Sequence, residues 1–126
     1  TTTSIDFSAQ GYSNAQSFHE VTASIDTNIG VYFDKGTNNN TPKYYTSGTA
    51  IRVYGGSYFT VSSPTGKTIT KITLTYGSSD GSNTITTDVV TFSSPTWTGS
   101  ASSVKFTIGG TSGNRRIKGI EVTYNN

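Results

Sequence analysis

Apolar and polar residues alternate with a period of two along most of this chain. Val21, Ala23 and Ile25 alternate with Thr22, Ser24 and Asp26, and Val31 and Phe33 flank Tyr32. Ile51 and Val53 alternate with Arg52 and Tyr54, and Phe59 and Val61 with Tyr58, Thr60 and Ser62. The same pattern runs through 71–76, 104–108 and 120–124, with shorter candidates at 5–7, 84–87 and 89–92. A period of two places successive side chains on opposite faces of an extended chain, whereas no stretch keeps the 3.6-residue period of a helix. Turn-forming pairs separate the runs: Lys35 with Gly36, Gly55 with Gly56, Asp80 with Gly81, Gly109 with Gly110, Gly113 with Asn114, and the triplet at 64–66. The pattern predicts an all-β chain of eight to ten short strands, folded as one antiparallel β-sandwich over residues 1–126. Each strand has one apolar and one polar face, as two packed sheets require.

An internal echo adds detail. "ITKITLTY" (69–76) and "IKGIEVTY" (117–124) share Ile, Ile, an aliphatic residue, Thr and Tyr in register. In both, the first Ile is out of step with the alternation that follows. A β-bulge, or entry from a turn, would shift the register by one residue and restore it. The echo has two readings: convergent strand patterning, or equivalent strands in two halves of a sandwich.

Composition changes the picture in three ways. Hydrophobic residues are only 31 % of the chain, below the usual ~45–50 %. Charged residues are also few, at 13 %, while aromatics reach 12 %, the reverse of a disordered chain. The polar bulk is Thr, Ser, Gly and Asn, residues of strands and turns, as in extracellular β domains. Cysteine and methionine are absent, which removes disulfides, thiol chemistry and zinc–thiolate sites. Together with the hydroxyl-rich surface this fits a bacterial secreted or cell-surface protein. No apolar run approaches the length of a membrane-spanning helix and no basic-then-apolar leader is present. The sequence starts at Thr1, so an excised module of a larger multidomain protein is expected.

The chemistry is read mainly by elimination. There is one histidine, His19, beside Glu20, and seven carboxylates in no recognisable acid–base motif. No nucleophile elbow, zinc-protease helix or phosphate loop occurs. The expectation is a non-enzyme. "DGSN" (80–83) offers Asp80 and Asn83 to calcium, but one carboxylate in a turn is far from the six or more oxygens the ion takes. An Asp-Gly hairpin turn explains it more simply. A structural calcium gathered from distant loops, with Asp6, Asp26 or Glu121, is the only cofactor considered. "GNRRIKG" clusters Arg115, Arg116 and Lys118, yet a net charge of +2 is not that of a dedicated nucleic-acid binder.

Carbohydrate recognition needs exposed aromatic rings that stack on sugar C–H faces, with planar polar groups that read the hydroxyl rim. This chain has such parts: Trp97, its only tryptophan, the adjacent Tyr44 and Tyr45, and Tyr54 as platforms; Arg52, Arg116 and Asn40 as readers, with Asn38, Asn39 and Arg115 in reserve. Each has a structural alternative. Trp97 could be an interior plug, one of the Tyr44–Tyr45 pair could be core, and Arg52 with Tyr54 could be simple cross-strand pairing.

The stretches "IDFSAQGYSNAQ", "VYFDKGTNNNTPKYY", "AIRVYGG", "FTVSSPTGKTITKITLTY" and "SVKFTIGGTSGNRRIKGIEVTY" resemble the Thr/Ser/Gly-rich β-sandwich modules of large bacterial secreted and surface proteins. The closing strand resembles the end of jelly-roll carbohydrate-binding modules. The resemblance implies a jelly-roll sandwich and a monomeric, non-catalytic module that holds a polysaccharide or glycan near a catalytic or adhesive neighbour. It implies neither nucleic-acid binding nor membrane insertion, and it assigns no binding residue. The rival expectation is a structural or adhesin spacer without a small ligand, in which Trp97 and both tyrosines are buried.

Overall fold

The structure, a computed structural model, describes all 126 residues. Its strands are β1 (Thr2–Asp6), β2 (Gln16–Ser17), β3 (Val21–Asp26), β4 (Ile29–Asp34), β5 (Lys43–Tyr45) and β6 (Ala50–Tyr54). They continue as β7 (Tyr58–Ser62), β8 (Thr68–Tyr76), β9 (Ile85–Thr87), β10 (Thr96–Ala101), β11 (Ser103–Ile108) and β12 (Asn114–Asn125). The single helical element is a 3₁₀ turn at Phe7–Ala9, so no helix is long and apolar enough to cross a membrane. The strands form two antiparallel sheets, as the alternation predicts. One sheet is ordered β10–β8–β12–β6–β5–β2, and β1 pairs with the C-terminal half of β12. The other is ordered β3–β4–β7–β11–β9. From β6 to β12 successive strands alternate between the two sheets.

Twelve strands exceed the eight to ten expected, and the difference has identifiable causes. β2 and β5 are only two and three residues long, too short to display an alternation. β10 carries one large apolar residue, Trp97, among Thr, Gly and Ser. The expected strand at 89–92 is instead a loop, with Val90 in the left-handed region at φ 58°. The Trp97 indole N–H donates to the Val89 carbonyl at 2.7 Å, and the Thr87 hydroxyl donates to the Val90 carbonyl at 2.6 Å. The segment's carbonyls are thereby drawn onto neighbouring side chains rather than into a ladder.

A core cluster of 24 buried residues lies between the sheets. Phe33 of β4, Phe59 of β7 and Phe106 of β11 run through it, Phe59 and Phe106 stacking at 4.9 Å. Phe7 and Phe18 enter from outside the long strands and meet Phe33 edge-on at 5.8 and 5.6 Å. Burial of each such ring contributes roughly 1.5–3 kcal/mol.

The two echoing segments are β8 and β12, which lie side by side in one sheet rather than in two halves of the sandwich. Their register shifts between Ile117 and Gly119, and again between Thr123 and Tyr124 opposite Lys71 and Ile69. These are the bulges that the out-of-step isoleucines predict. Each turns both Ile117 and Ile120, or Ile69 and Ile72, inward.

Candidate functional site

β6 sends Ile51 and Val53 into the core and Arg52 and Tyr54 outward. Its neighbours obey the same alternation. On β12, Ile117 is buried and Arg116 points out; on β5, Tyr44 is buried and Lys43 and Tyr45 point out. Pairing then decides who meets whom. Arg52 lies opposite Lys43 on one side and opposite Arg116 on the other. Tyr54 lies opposite Asn114. The Arg52 guanidinium sits 4.0 Å from the Tyr45 ring centroid, a cation–π contact that holds the side chain against the sheet. Burial, and then the neighbouring Tyr45 hydroxyl, push the Tyr54 hydroxyl's pKa up. Tyr54 is therefore a neutral phenol across the physiological range. Four of the seven expected site residues, Tyr45, Arg52, Tyr54 and Arg116, thus share one outer face.

Asn40 lies nearby, in the loop from β4 to β5. The Asn38 side chain donates to the Gly55 carbonyl and accepts from the Asn40 N–H, both at 2.8 Å. This pins the loop beside the end of β6 and leaves Asn39 and Asn40 exposed around an open polar pocket of about 390 Å³ that includes Gly55. On the other side of the face, an open groove of about 340 Å³ runs over β12 between β1 and β8, lined by Ser4, Asp6, Thr75, Lys118 and Glu121. Gly119 forms its floor. A Cβ there would come within 2.9 Å of the Ile5 carbonyl oxygen, so the close approach of β1 requires glycine at this position.

Two expected platforms are not on the surface. Trp97 is 0 % exposed and Tyr44 4 %. The register is the cause: Trp97 lies opposite Ile72, and Tyr44 opposite Ile51, both inward-facing. Tyr44 instead packs edge-on against Tyr12 at 5.5 Å. The Tyr44–Tyr45 pair is therefore one core and one surface residue, and Trp97 is an interior residue; neither Trp97 nor Tyr44 can stack on a ligand.

The adjacent arginines also part company. Arg115, opposite inward-facing Val53, lies over the Tyr76 ring at 4.3 Å. Its Nη2 is 2.9 Å from Asp80 Oδ2, its Nε donates to both Asp80 oxygens, and its Nη1 donates to the Asn83 carbonyl. Asp80 Oδ1 also accepts the Arg116 backbone N–H at 2.7 Å. The carboxylate considered for calcium is thus engaged on both oxygens. No three His, Asp or Glu side chains converge into a metal-binding group.

A second aromatic surface was not expected. On the outer face of the five-stranded sheet, the Tyr32 and Tyr58 rings lie 6.4 Å apart. The Tyr32 hydroxyl donates to Asp34 at 3.0 Å, and Lys105 Nζ lies 4.1 Å from the Tyr58 ring centroid. His19 stands 3.9 Å from Asp34 and 3.7 Å from Glu20. Desolvation, then the Asp34 hydrogen bond, push the Tyr32 hydroxyl up to about 12. Both tyrosines fall on polar positions of the alternation, which was the available signal; their adjacency follows only from the β4–β7 register. Here most polar groups already have protein partners.

Asp34 also carries a pH prediction. Its carboxyl is held below the usual range, chiefly by the Gly36 N–H at 2.8 Å; the Ser8 hydroxyl and N–H do the same for Asp6 at 2.6 and 2.9 Å. A carboxyl with a depressed folded-state pKa stabilises fully above its unfolded value, near 3.9, and loses that contribution as pH falls through the folded value. Melting temperature is expected to hold from pH 7 to about 4 and then drop. Asp34→Asn should melt lower at pH 7 and converge on wild type in acid; parallel curves would contradict this.

No protein-family model, no curated protein and no solved structure matches the chain. What is defined is a class: an all-β, two-sheet antiparallel sandwich with an aromatic–arginine cluster on one outer face.

Proposed function

We propose that this chain is a non-catalytic, extracellular carbohydrate-binding module of jelly-roll type. In this reading it is a monomeric unit of a larger bacterial chain that holds a polysaccharide near a catalytic or adhesive neighbour. The observation that carries the reading is the outer face of the seven-stranded sheet. Tyr54 and Tyr45 stand half-exposed there, Tyr45 with Arg52 over one face of its ring, Arg52 and Arg116 offer planar donors, and polar recesses extend the face on both sides. Strand-by-strand alternation between sheets from β6 onward supports the jelly-roll assignment. Nucleic acid, membrane insertion and a bound cofactor have no role in this reading.

The test is retention in affinity gels and on glycan arrays. Tyr45→Ala and Tyr54→Ala should each weaken binding about tenfold, or ~1.4 kcal/mol, without changing the melting temperature much. If wild type retains no glycan, or both variants bind like wild type, the proposal is wrong.

The burial of Trp97 and Tyr44 favours a second reading, a structural or adhesin spacer with no small ligand. It differs in one measurable respect: the spacer binds no glycan at all, whatever the state of Tyr45.

A further inference from the structure

Resting on the carbohydrate-binding reading, we infer that the saccharide carries negative charge, a uronate carboxylate or a sulfate ester, and that Arg52 and Arg116 clasp it together. Lys43, Arg52 and Arg116 stand abreast on β5, β6 and β12. Like charges directly opposite each other oppose sheet pairing, so such a row normally comes with acidic partners. None is present. The ion pairs of the molecule are His19 with Glu20, His19 with Asp34 and Arg115 with Asp80. Asp80, whose Oδ1 accepts the Arg116 backbone N–H, has its charge paired with Arg115.

The hydrogen bonding is equally incomplete. Arg115 satisfies its guanidinium with three kinds of bond. Arg116 has a single side-chain bond, from Nη1 to the Ser78 carbonyl at 3.1 Å, and Arg52 is fixed by its Tyr45 contact alone. The Nε of each is shielded from solvent with no partner. Those two Nε atoms are closed to a ligand, but Arg52 spends none of its Nη donors on the protein and Arg116 only Nη1. On directly opposed positions, these Nη groups match the planar oxygens of a carboxylate or the tripod of a sulfate. An anion bridging them would cancel the repulsion between them, while Tyr45 and Tyr54 meet the sugar ring. The face of Tyr32 and Tyr58 provides the contrast: it carries a carboxylate, Asp34, bonded by the Tyr32 hydroxyl and the Gly36 N–H, where an acidic ligand would meet like charge. Nucleic acid is the poorer fit, because a net charge of +2 is far from the broad basic field that phosphate-backbone binding takes.

The experiment compares wild type with Arg52→Gln, Arg116→Gln and Tyr45→Ala. The probes are a panel of uronate-bearing glycans including polygalacturonate, its methyl-esterified form, sulfated glycans including dextran sulfate, unmodified dextran and single-stranded DNA. At least one acidic glycan should bind, with affinity falling as salt rises, and each arginine variant should lose tenfold or more. Loss on methyl-esterification identifies the carboxylate as the recognised group; retention of the sulfated polymers alone identifies the sulfate. Removing one charge from the row should leave melting temperature unchanged or higher. Should a glutamine variant fail to fold, Arg52→Lys, which keeps charge but loses the fork, should still weaken binding. Neutral glycan binding that depends on Tyr45 but not on the arginines would overturn the anion inference and leave the module reading standing. Failure of every glycan would overturn both, and DNA binding equal to the best glycan would overturn the saccharide assignment.

Discussion

Replacing Trp97 by alanine is expected to lower the unfolding free energy by about 3–5 kcal/mol and to leave glycan retention by the folded fraction unchanged. The side chain is fully buried, opposite Ile72, with its indole N–H bonded to the Val89 carbonyl. Truncation removes the largest buried side chain in the molecule, leaves a cavity, and strips a carbonyl of its donor. The loop at 88–93 loses one of its tethers as well, the indole bond to Val89, and keeps the Thr87 hydroxyl bond to Val90. A domain of this size has roughly 5–15 kcal/mol in hand, so Trp97→Ala should remain largely folded in the cold and melt many degrees early. Trp97→Phe, which keeps most of the volume but not the donor, should cost less. Trp97 is the only tryptophan, so fluorescence reads this one site: wild-type emission should be blue-shifted and resist acrylamide. A red, readily quenched emission would place the ring on the surface and restore it as a ligand platform.

Replacing Asp80 by alanine is expected to cost about 3 kcal/mol. Arg115 and Asp80 are mostly buried, with side-chain exposures of 12 % and 17 %. Breaking such a pair leaves a guanidinium with a desolvated charge and no counter-ion, which is worse than never having had the pair. Asp80→Ala also frees the Arg116 backbone N–H, bonded to the same carboxylate. The variant should therefore weaken acidic-glycan binding as well, by unfixing Arg116 without touching the ligand. Replacing both partners together, with Asp80→Leu and Arg115→Met, should recover much of the lost stability, because no orphan charge remains. Chemical denaturation of the two single variants and the double variant measures the coupling; simple additivity would show that the pair contributes little. Neighbouring Gly81 has its own constraint, since a Cβ there would collide with the Asn114 carbonyl oxygen.

The candidate site shows how far a pattern can be read before contacts are known. Arg52 and Tyr54 were recognisable as surface neighbours because β6 is a clean five-residue alternation between buried Ile51 and Val53. Asn40 was placed in a loop by the proline two residues on. Tyr44 and Tyr45 were recognisable only as a pair with one member inward, because a three-residue strand shows no phase of its own. Trp97 has no apolar neighbours in sequence, which leaves surface platform and interior plug both open; the edge strand that carries it buries it completely. Burial of a single large residue depends on what lies across from it, here Ile72.

From the sequence alone come the all-β class, the antiparallel sandwich, the inward and outward faces of β3, β4, β6, β7, β8, β11 and the C-terminal half of β12, and a break in register at the two out-of-step isoleucines. These are properties of the alternation, which acts over a few residues and follows from the geometry of an extended chain. Only the tertiary structure decided that β8 and β12 are neighbours, that Trp97 and Tyr44 belong to the core, and that Arg52 faces Arg116 while Arg115 turns inward to Asp80. Each of those depends on register between strands distant in sequence. Register is set by how apolar faces of unequal, sometimes very short strands fit together over one core, information that no local stretch of the chain contains.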